Sequence, residues 1–271
     1  MRRLINLQPN RVLKIALGII PFLLILLVYQ IGSDIRKAEN EQDKLLPSFA
    51  EIAAGINRMA FEPSQRTGDY EFWEDTKSSV KRLSIGIAIS AAIGLVVGLA
   101  AGAIPIIAAP LSPLITAISL IPPMAILPVL FIVFGLGELS KVMLIVIGVS
   151  PFLIRDILQR TQELPREQLV KAQTLGGNSW QIILRVIFPQ IVPRLLDAVR
   201  LSLGAAWLFL IAAEAIAATD GLGYRIFLVR RYMSMDIILP YVVWITFLAF
   251  TLDWCLLKFS RVVFPWYHAE K

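Results

Sequence analysis

The sequence predicts an all-α membrane protein of about six transmembrane helices with both ends cytoplasmic, and three observations carry that prediction. The 271 residues are 57% hydrophobic and only 17% charged, with a mean hydropathy of +0.70, outside the range of ordinary soluble domains. Six stretches approach the roughly 20 apolar residues that a bilayer core about 30 Å thick requires. They lie at about 13–31, 83–103, 111–134, 139–158, 195–218 and 237–260. No period-two alternation is present, which argues against an outer-membrane barrel. The third observation is where the charges fall. Residues 1–14 carry Arg2, Arg3, Arg11 and Lys14 without an acid, and residues 155–200 carry seven basic side chains against four acidic. Both should stay inside, as should Lys258, Arg261 and Lys271 at the other end. Residues 32–80, with six basic and ten acidic side chains, suit the outside. One loop fits less well: 219–236 should face outward while carrying Arg225, Arg230 and Arg231. The basic charges flank spans rather than forming one face, so a nucleic-acid partner is the poorer reading.

Taken in order, residues 1–31 read as an anchor helix. Their apolar run exceeds a normal signal-peptide core and no small-x-small site follows closely, so an uncleaved anchor is expected. Residues 32–80 read as an external loop with one short helix at 48–60, started by Pro47-Ser48 and ended near Pro63. That loop is either plain surface or a contact for an external partner. Residues 81–266 form the membrane core, with a cytoplasmic elbow at about 160–190, and 267–271 a tail. The third span, "LSPLITAISLIPPMAILPVLFIVFGLG", holds Pro113, Pro122, Pro123 and Pro128. Each removes a helical hydrogen bond and restricts its predecessor, which suggests a broken helix lining a pathway. A kinked packing helix is the alternative.

Chemistry-bearing residues are few. Glu214 and Asp253 are the candidate intramembrane acids, costly in lipid unless functional, or else snorkelling near span ends. Glu138 and Lys141, three apart, suit a pair at the mouth of the fourth span. His268 is the one histidine and reads as solvated; Cys255 has no internal disulfide partner. No G-x-x-x-x-G-K-[ST] loop, H-E-x-x-H, cysteine pair or G-x-S-x-G elbow occurs, so the chain itself should hold no metal and no nucleotide in the phosphate-loop mode. An enzyme is disfavoured, and an ion-driven carrier would usually need more buried acids.

The elbow is "VKAQTLGGNSWQIILRVIFPQIVP", residues 170–193. From 163 to 175 an amphipathic helix is expected, with Pro165 in its first turn and Leu169, Ala172 and Leu175 on one face. Gly176 and Gly177 supply the positive φ of a helix end. Asn178 or Ser179 then caps a second helix beginning at Trp180, which Pro189 should end. Physical reasoning gives a corner at the cytoplasmic surface without giving its job.

The elbow resembles the E-A-A-x3-G-x9-I-x-L-P signature of permease subunits of bacterial ATP-binding-cassette importers. It becomes Val170-Lys171-Ala172, Gly176, Val186, Phe188 and Pro189 here. The stretches "LPS" at 46–48, "IPPMAILPVLFIVFGLGELSK" at 121–141, "AAWLFLIAAE" at 205–214, "GLGY" at 221–224 and "LDWCLLKFSRVVFPW" at 252–266 are similar to the permeases for taurine, alkanesulfonate, nitrate and thiamine precursors. The resemblance covers roughly 45–266 and implies a type I importer permease fold. It also implies a second permease copy, two cytoplasmic ATPase subunits carrying ATP and Mg, and an external substrate-binding protein. No cofactor is implied in this chain.

By this resemblance Glu167, Leu169, Val170, Lys171, Ala172, Leu175, Gly176, Gly177, Asn178, Trp180 and Pro189 would couple to the ATPase. Pro122, Pro123, Met124, Trp207 and Glu214 would line the pathway. Two departures stand out. The signature glutamate is Val170, with Glu167 on the same helical face as its stand-in, and the central small residue is Lys171, which calls for an acidic or roomy groove on the ATPase. The stretch 61–75 also looks longer than usual. The expected function is alternating-access import of a small polar nutrient of the sulfonate, nitrate, bicarbonate or pyrimidine-like class, across a bacterial inner membrane. An ion-coupled carrier, or a scaffold recruiting a cytoplasmic partner, is the alternative.

Overall fold

The computed structural model describes residues 10–40, 43–64 and 68–269. Arg2, Arg3 and Lys271, whose charge helps orient the chain, lie outside the described residues. Every regular element among the described residues is a helix. In order they are α1 (Arg11–Glu39), α2 (Phe49–Ala60), α3 (Glu71–Ala103), α4 (Pro105–Ser119), α5 (Pro123–Phe134) and α6 (Glu138–Gln162). They continue as α7 (Arg166–Thr174), α8 (Ser179–Ile182), α9 (Phe188–Ala217), α10 (Leu222–Arg230), α11 (Met235–Val263) and α12 (Pro265–His268).

Five rods are long and apolar enough to cross a membrane: α1, α3, α6, the run Ser179–Ala217, and α11. The pair α4 and α5, bent by 94°, makes a sixth crossing when counted as one broken span. An even number of crossings returns both ends of the described chain to the side of α7, the side marked cytoplasmic by its basic flanks. Several rods exceed the bilayer. At 1.5 Å per residue, the 33-residue α3 is about 50 Å long. Helix therefore replaces parts of the segment expected to be loop: α1 reaches Glu39, and α3 begins at Glu71.

The predicted external helix is present as α2. Ser48 accepts a hydrogen bond from the Glu51 N–H, and the Glu51 carboxylate accepts one from the Ser48 N–H, a reciprocal cap. Helix α1 stands off the bundle with its apolar side chains open to lipid. Its tethers to the segment before α2 and to α2 itself include two hydroxyls, Tyr29 donating to the Pro47 carbonyl at 2.6 Å and Ser33 to the Leu46 carbonyl at 2.9 Å, and the ion pairs Arg36–Asp43 and Lys37–Glu51.

The prolines of the third span do not act alike. Pro113 and Pro128, like Pro110 beside them, sit inside helices that continue through them. The break expected of this span falls at Pro122-Pro123. Each restricts its predecessor, Pro122 is extended (φ −64°, ψ 118°), and Pro123 opens α5 from its first position, where a missing N–H costs nothing.

The bundle is held by α3 against α6. Gly86, Ser90, Gly94, Gly98 and Gly102 recur every four residues on α3, bringing two backbones into close approach as small residues do in membranes. A Cβ at Gly94 would sit 2.7 Å from the Leu153 Cβ, and one at Gly98 would sit 2.9 Å from the Ile154 carbonyl oxygen. Leu83, Leu144, Ile145, Leu153 and Ile157 are buried beside this seam. A Gly94→Val chain is expected to lose at least 5 °C of Tm in detergent, measured by scanning fluorimetry. Gly204→Ala, where an added Cβ meets nothing within 4 Å, should leave Tm within about 1 °C.

Candidate functional site

At the cytoplasmic end the chain turns a built corner. Helix α7 runs Arg166–Thr174 with Pro165 just outside it. Gly176 adopts φ +84°, with open space where a side chain would be, so the left-handed backbone alone demands glycine there. The Gly177 N–H returns to the Ala172 carbonyl at 3.0 Å. Asn178 then accepts from the Gln181 N–H at 2.8 Å while Gln181 accepts from the Asn178 N–H at 3.0 Å, closing a second reciprocal cap. The corner is anchored from beneath by buried Leu164, Ile182 and Ile187 and by half-buried Leu169 and Ala172. Gln190 donates to the Gln168 side chain at 3.2 Å, bracing α7 against the rod it feeds.

Two expectations are corrected here. Leu175 does not join Leu169 and Ala172 on the inward face; it lies past the last helical turn and is 88% exposed. Pro189 does not end the second helix. A π-turn at Ile183–Ile187 precedes it, the Phe188 N–H reaches back to the Ile183 carbonyl, and the rod continues to Ala217. The wider turn accommodates a residue that has no N–H to donate. What remains outside is a small face of Glu167, Val170, Lys171, Leu175, Asn178 and a 66% exposed Trp180. Leucine and tryptophan open to water at the tip of a braced corner suit a partner protein.

The proposed pathway residues divide. Pro122, Pro123 and a 40% exposed Met124 lie at the 94° bend. Trp207 and Glu214, seven residues apart on α9, are buried instead, at 4% and 0% exposure. The Trp207 indole N–H has no hydrogen-bond partner among the described residues. Glu214 is neither snorkelling nor open to a channel. Its carboxylate takes Arg82 Nη1 at 2.8 Å, the Ser79 hydroxyl at 2.8 Å and the Gly223 N–H at 2.9 Å.

Arg82 ties this outer cluster together. Its guanidinium also donates to both Glu138 oxygens, at 2.6 and 2.7 Å, and to Asp220 Oδ1 at 2.6 Å. Lys141 reaches Glu138 at 2.9 Å, the pair expected at the mouth of that span. Asp220, in the loop beyond α9, is pushed up by burial. Hydrogen bonds from Ser78 and Arg82 outweigh this and hold it below the usual carboxylate range. One turn further out, Asp75 accepts from Arg225 Nε at 2.8 Å and the Gly221 N–H at 2.8 Å, and Arg225 also pairs with Glu71 at 2.6 Å. Arg225, one of the three arginines that fitted an outward loop poorly, is thereby neutralised. Gly221, at φ +114°, leaves no room for a Cβ beside the Glu214 carboxylate.

Arg82, Ser79, Asp75 and Arg225 escaped the sequence reading. The signal was there: Asp75, Ser79 and Arg82 fall at helical spacing on one stripe of α3, continuous with the Gly86 seam. At the other end Asp253 is held by Arg200 through two hydrogen bonds, at 2.8 and 3.0 Å, and His268 meets the Ser260 hydroxyl at 3.0 Å rather than lying free. No group of His, Cys, Asp and Glu suited to a metal ion occurs among the described residues.

Residues 90–265 match the family described as binding-protein-dependent transport system inner membrane component. The chain belongs to this family. Among curated relatives of this permease, the taurine transport system permease protein of Escherichia coli (strain K12) is 32% identical over 202 residues, 74% of this chain and 73% of that one. The nitrate import permease protein of Synechococcus elongatus is 28% identical over 149 residues, covering 55% and 53%. Among solved structures, a chain of the MetNI methionine ABC transporter in an inward-facing conformation superposes with a TM-score of 0.61. It is 19% identical, and the match covers 74% of this permease and 99% of that chain. The type I importer permease fold is therefore established, and the chain is a multi-pass membrane transport subunit.

Removing Arg82 leaves Glu214 buried without its counter-charge, which costs about 3–5 kcal/mol in buried pairs. An Arg82→Gln permease is expected to fail to accumulate as folded protein in membranes, read by fluorescence size-exclusion chromatography of a tagged chain. Glu214→Gln retains an acceptor for Ser79 and Gly223 and removes the charge, so it should accumulate to at least half the wild-type level.

Proposed function

We propose that this permease imports a small polar nutrient, driven by ATP hydrolysed on a separate chain, and that the corner at 163–182 is where the ATPase engages. The supporting observation is the rigid, outward-facing set of Val170, Lys171, Leu175 and Trp180, braced by Gly176 and the Asn178 cap. A second copy of the permease, two ATPase subunits bearing ATP and Mg, and an external substrate-binding protein complete the assembly. The chain itself contributes no catalytic residue. The taurine permease among its relatives favours a sulfonate as cargo.

The physical mechanism is a two-state element biased by a partner that binds its states unequally. A push at the corner acts on α6 and on the rod Ser179–Ala217 together, because the corner joins them. Swinging these two rods relative to the second copy alternates access to a path past the bend at Pro122, Pro123 and Met124. Lys171 in place of a small residue calls for an acidic or roomy groove on the ATPase, and Glu167 takes the place of the missing signature acid. An ion-coupled carrier needs a buried acid free to titrate, and Glu214 is already saturated by donors.

The test is co-purification of the tagged permease with the ATPase encoded beside it. Wild type should retain the ATPase. Gly176→Pro, which cannot adopt φ +84°, should lose it while remaining membrane-inserted. Trp180→Ala removes an exposed anchor without touching the core and is expected to weaken retention at least tenfold. A wild-type chain that is folded and retains no ATPase would overturn the proposal, and ion-driven flux would become the next assay. A Lys171→Ala variant that assembles and transports like wild type would remove Lys171 from the contact.

A further inference from the structure

We propose that the permease carries a site for the phosphodiester headgroup of an anionic lipid at the cytoplasmic end of α11, in the cavity between α9, α11 and α12. The cavity is an open cleft of about 590 Å³ lined by Asp197, Arg200, Leu257, Arg261, Pro265, His268 and Ala269, a size suited to a small ligand.

Its electrostatics follow from what each charge already holds. Asp253 takes Arg200 Nε and Nη2. Asp197, the one acid among the described lining residues, accepts from the Tyr267 hydroxyl at 2.8 Å and lies 3.4 Å from Arg200 Nη1. The acids are thus satisfied by Arg200 and Tyr267. Arg261 is exposed and has no carboxylate within ion-pair distance among the described residues, so it stands on the cavity wall as an uncompensated cation. The His268 ring, fixed through its Nε2 to Ser260, lines the same cavity. A guanidinium not taken up by a carboxylate is a donor that phosphate oxygens accept.

Depth selects a lipid as the source of that phosphate. The cavity lies where α11 ends at Val263 and the chain turns into α12, so it falls at headgroup level. Lys258 packs its ammonium over the Trp254 ring, 5.0 Å from the centroid, and Trp266 is exposed just beyond. Tryptophans and lysines of this kind mark the membrane interface. Leu257, on the wall, offers an apolar surface to the first carbons of an acyl chain. Basic pockets between spans on the cytoplasmic side receive anionic headgroups on general electrostatic grounds.

The experiment places the full-length permease in phosphatidylcholine nanodiscs containing a titrated fraction of phosphatidylglycerol, and reads retained lipid by native mass spectrometry. Wild type should hold one phosphatidylglycerol more tightly than phosphatidylcholine. Arg261→Gln should weaken that lipid about fivefold, the effect of roughly 1 kcal/mol per basic residue near an anionic surface, and leave phosphatidylcholine unchanged. Arg261→Lys should recover most of the preference. Arg261 is exposed and away from the bundle seam, so folding is not at stake. Equal retention of the two lipids by wild type, or no loss in Arg261→Gln, overturns the proposal. Protection of the detergent-solubilised chain by inorganic phosphate, with no preference for phosphatidylglycerol, overturns the lipid assignment and makes the cavity a soluble-anion site.

Discussion

Everything at the outer face of this permease depends on one guanidinium. Arg82 is 3% exposed and meets three carboxylates, on α6, on α9 and in the loop after α9. A carboxylate as deeply buried as Glu214 survives only where its charge is matched and its lone pairs are filled. Arg82 supplies the charge, while Ser79 and Gly223 supply further hydrogen bonds. The arrangement also dictates backbone: Gly221 has to be glycine because the carboxylate occupies the space a side chain would take. An ionic knot of this kind contributes less to net stability than to defining which helix ends meet, and here it fixes four elements at one point.

The knot and the cytoplasmic corner are opposite ends of the same two rods. Helix α6 starts with Glu138 on Arg82 and ends at the corner; the rod Ser179–Ala217 leaves the corner and ends near Glu214, also on Arg82. Between them runs the α3 stripe, polar at Asp75, Ser79 and Arg82, then small from Gly86 to Gly102. A packed seam this close cannot deform gradually, since an added methyl already clashes at Gly94 and Gly98. Motion applied at the corner is therefore transmitted as displacement of whole rods rather than absorbed in side chains. On this path the π-turn at Ile183–Ile187, directly above the corner, departs from α-helical hydrogen-bond register, and Pro151 and Pro193 each remove one helical hydrogen bond from the rods the corner joins.

Much of this was legible in the sequence, for identifiable reasons. Apolar runs set by bilayer thickness gave the spans, and loop charge gave orientation. Pro47-Ser48 and the pair Asn178-Ser179 gave two helix starts, while the reciprocal caps with Glu51 and Gln181 emerged only in the structure. What was not legible involved residues distant in sequence or effects of local context. Glu214 alone could be read as a pathway acid; only its meeting with Arg82, 132 positions earlier, shows that it is a structural anchor. The prolines looked equivalent because their effect depends on whether a neighbouring turn can absorb the missing N–H. Pro189 follows a π-turn and is absorbed; Pro122-Pro123 constrain each other and break the span. Leu175 fitted the apolar period by count, yet it lies one residue beyond the helix, where the period no longer applies.

The exposed corner and the buried knot show two different uses of residues that are costly where they sit. Trp180 and Leu175 are apolar side chains held in water, an arrangement that is unfavourable until something covers them. Glu214 and Arg82 are charged side chains held away from water, unfavourable unless joined to each other. In the second case the chain resolves the cost internally, so the cluster needs nothing further and is poorly suited to gating by an ion. In the first case nothing within the described residues covers Trp180 and Leu175, and the chain holds them there with a glycine in a left-handed conformation and a reciprocal cap. A braced corner that holds apolar groups in water is what a docking surface requires and an incidental patch lacks, and the proposed engagement of an ATPase rests on that feature.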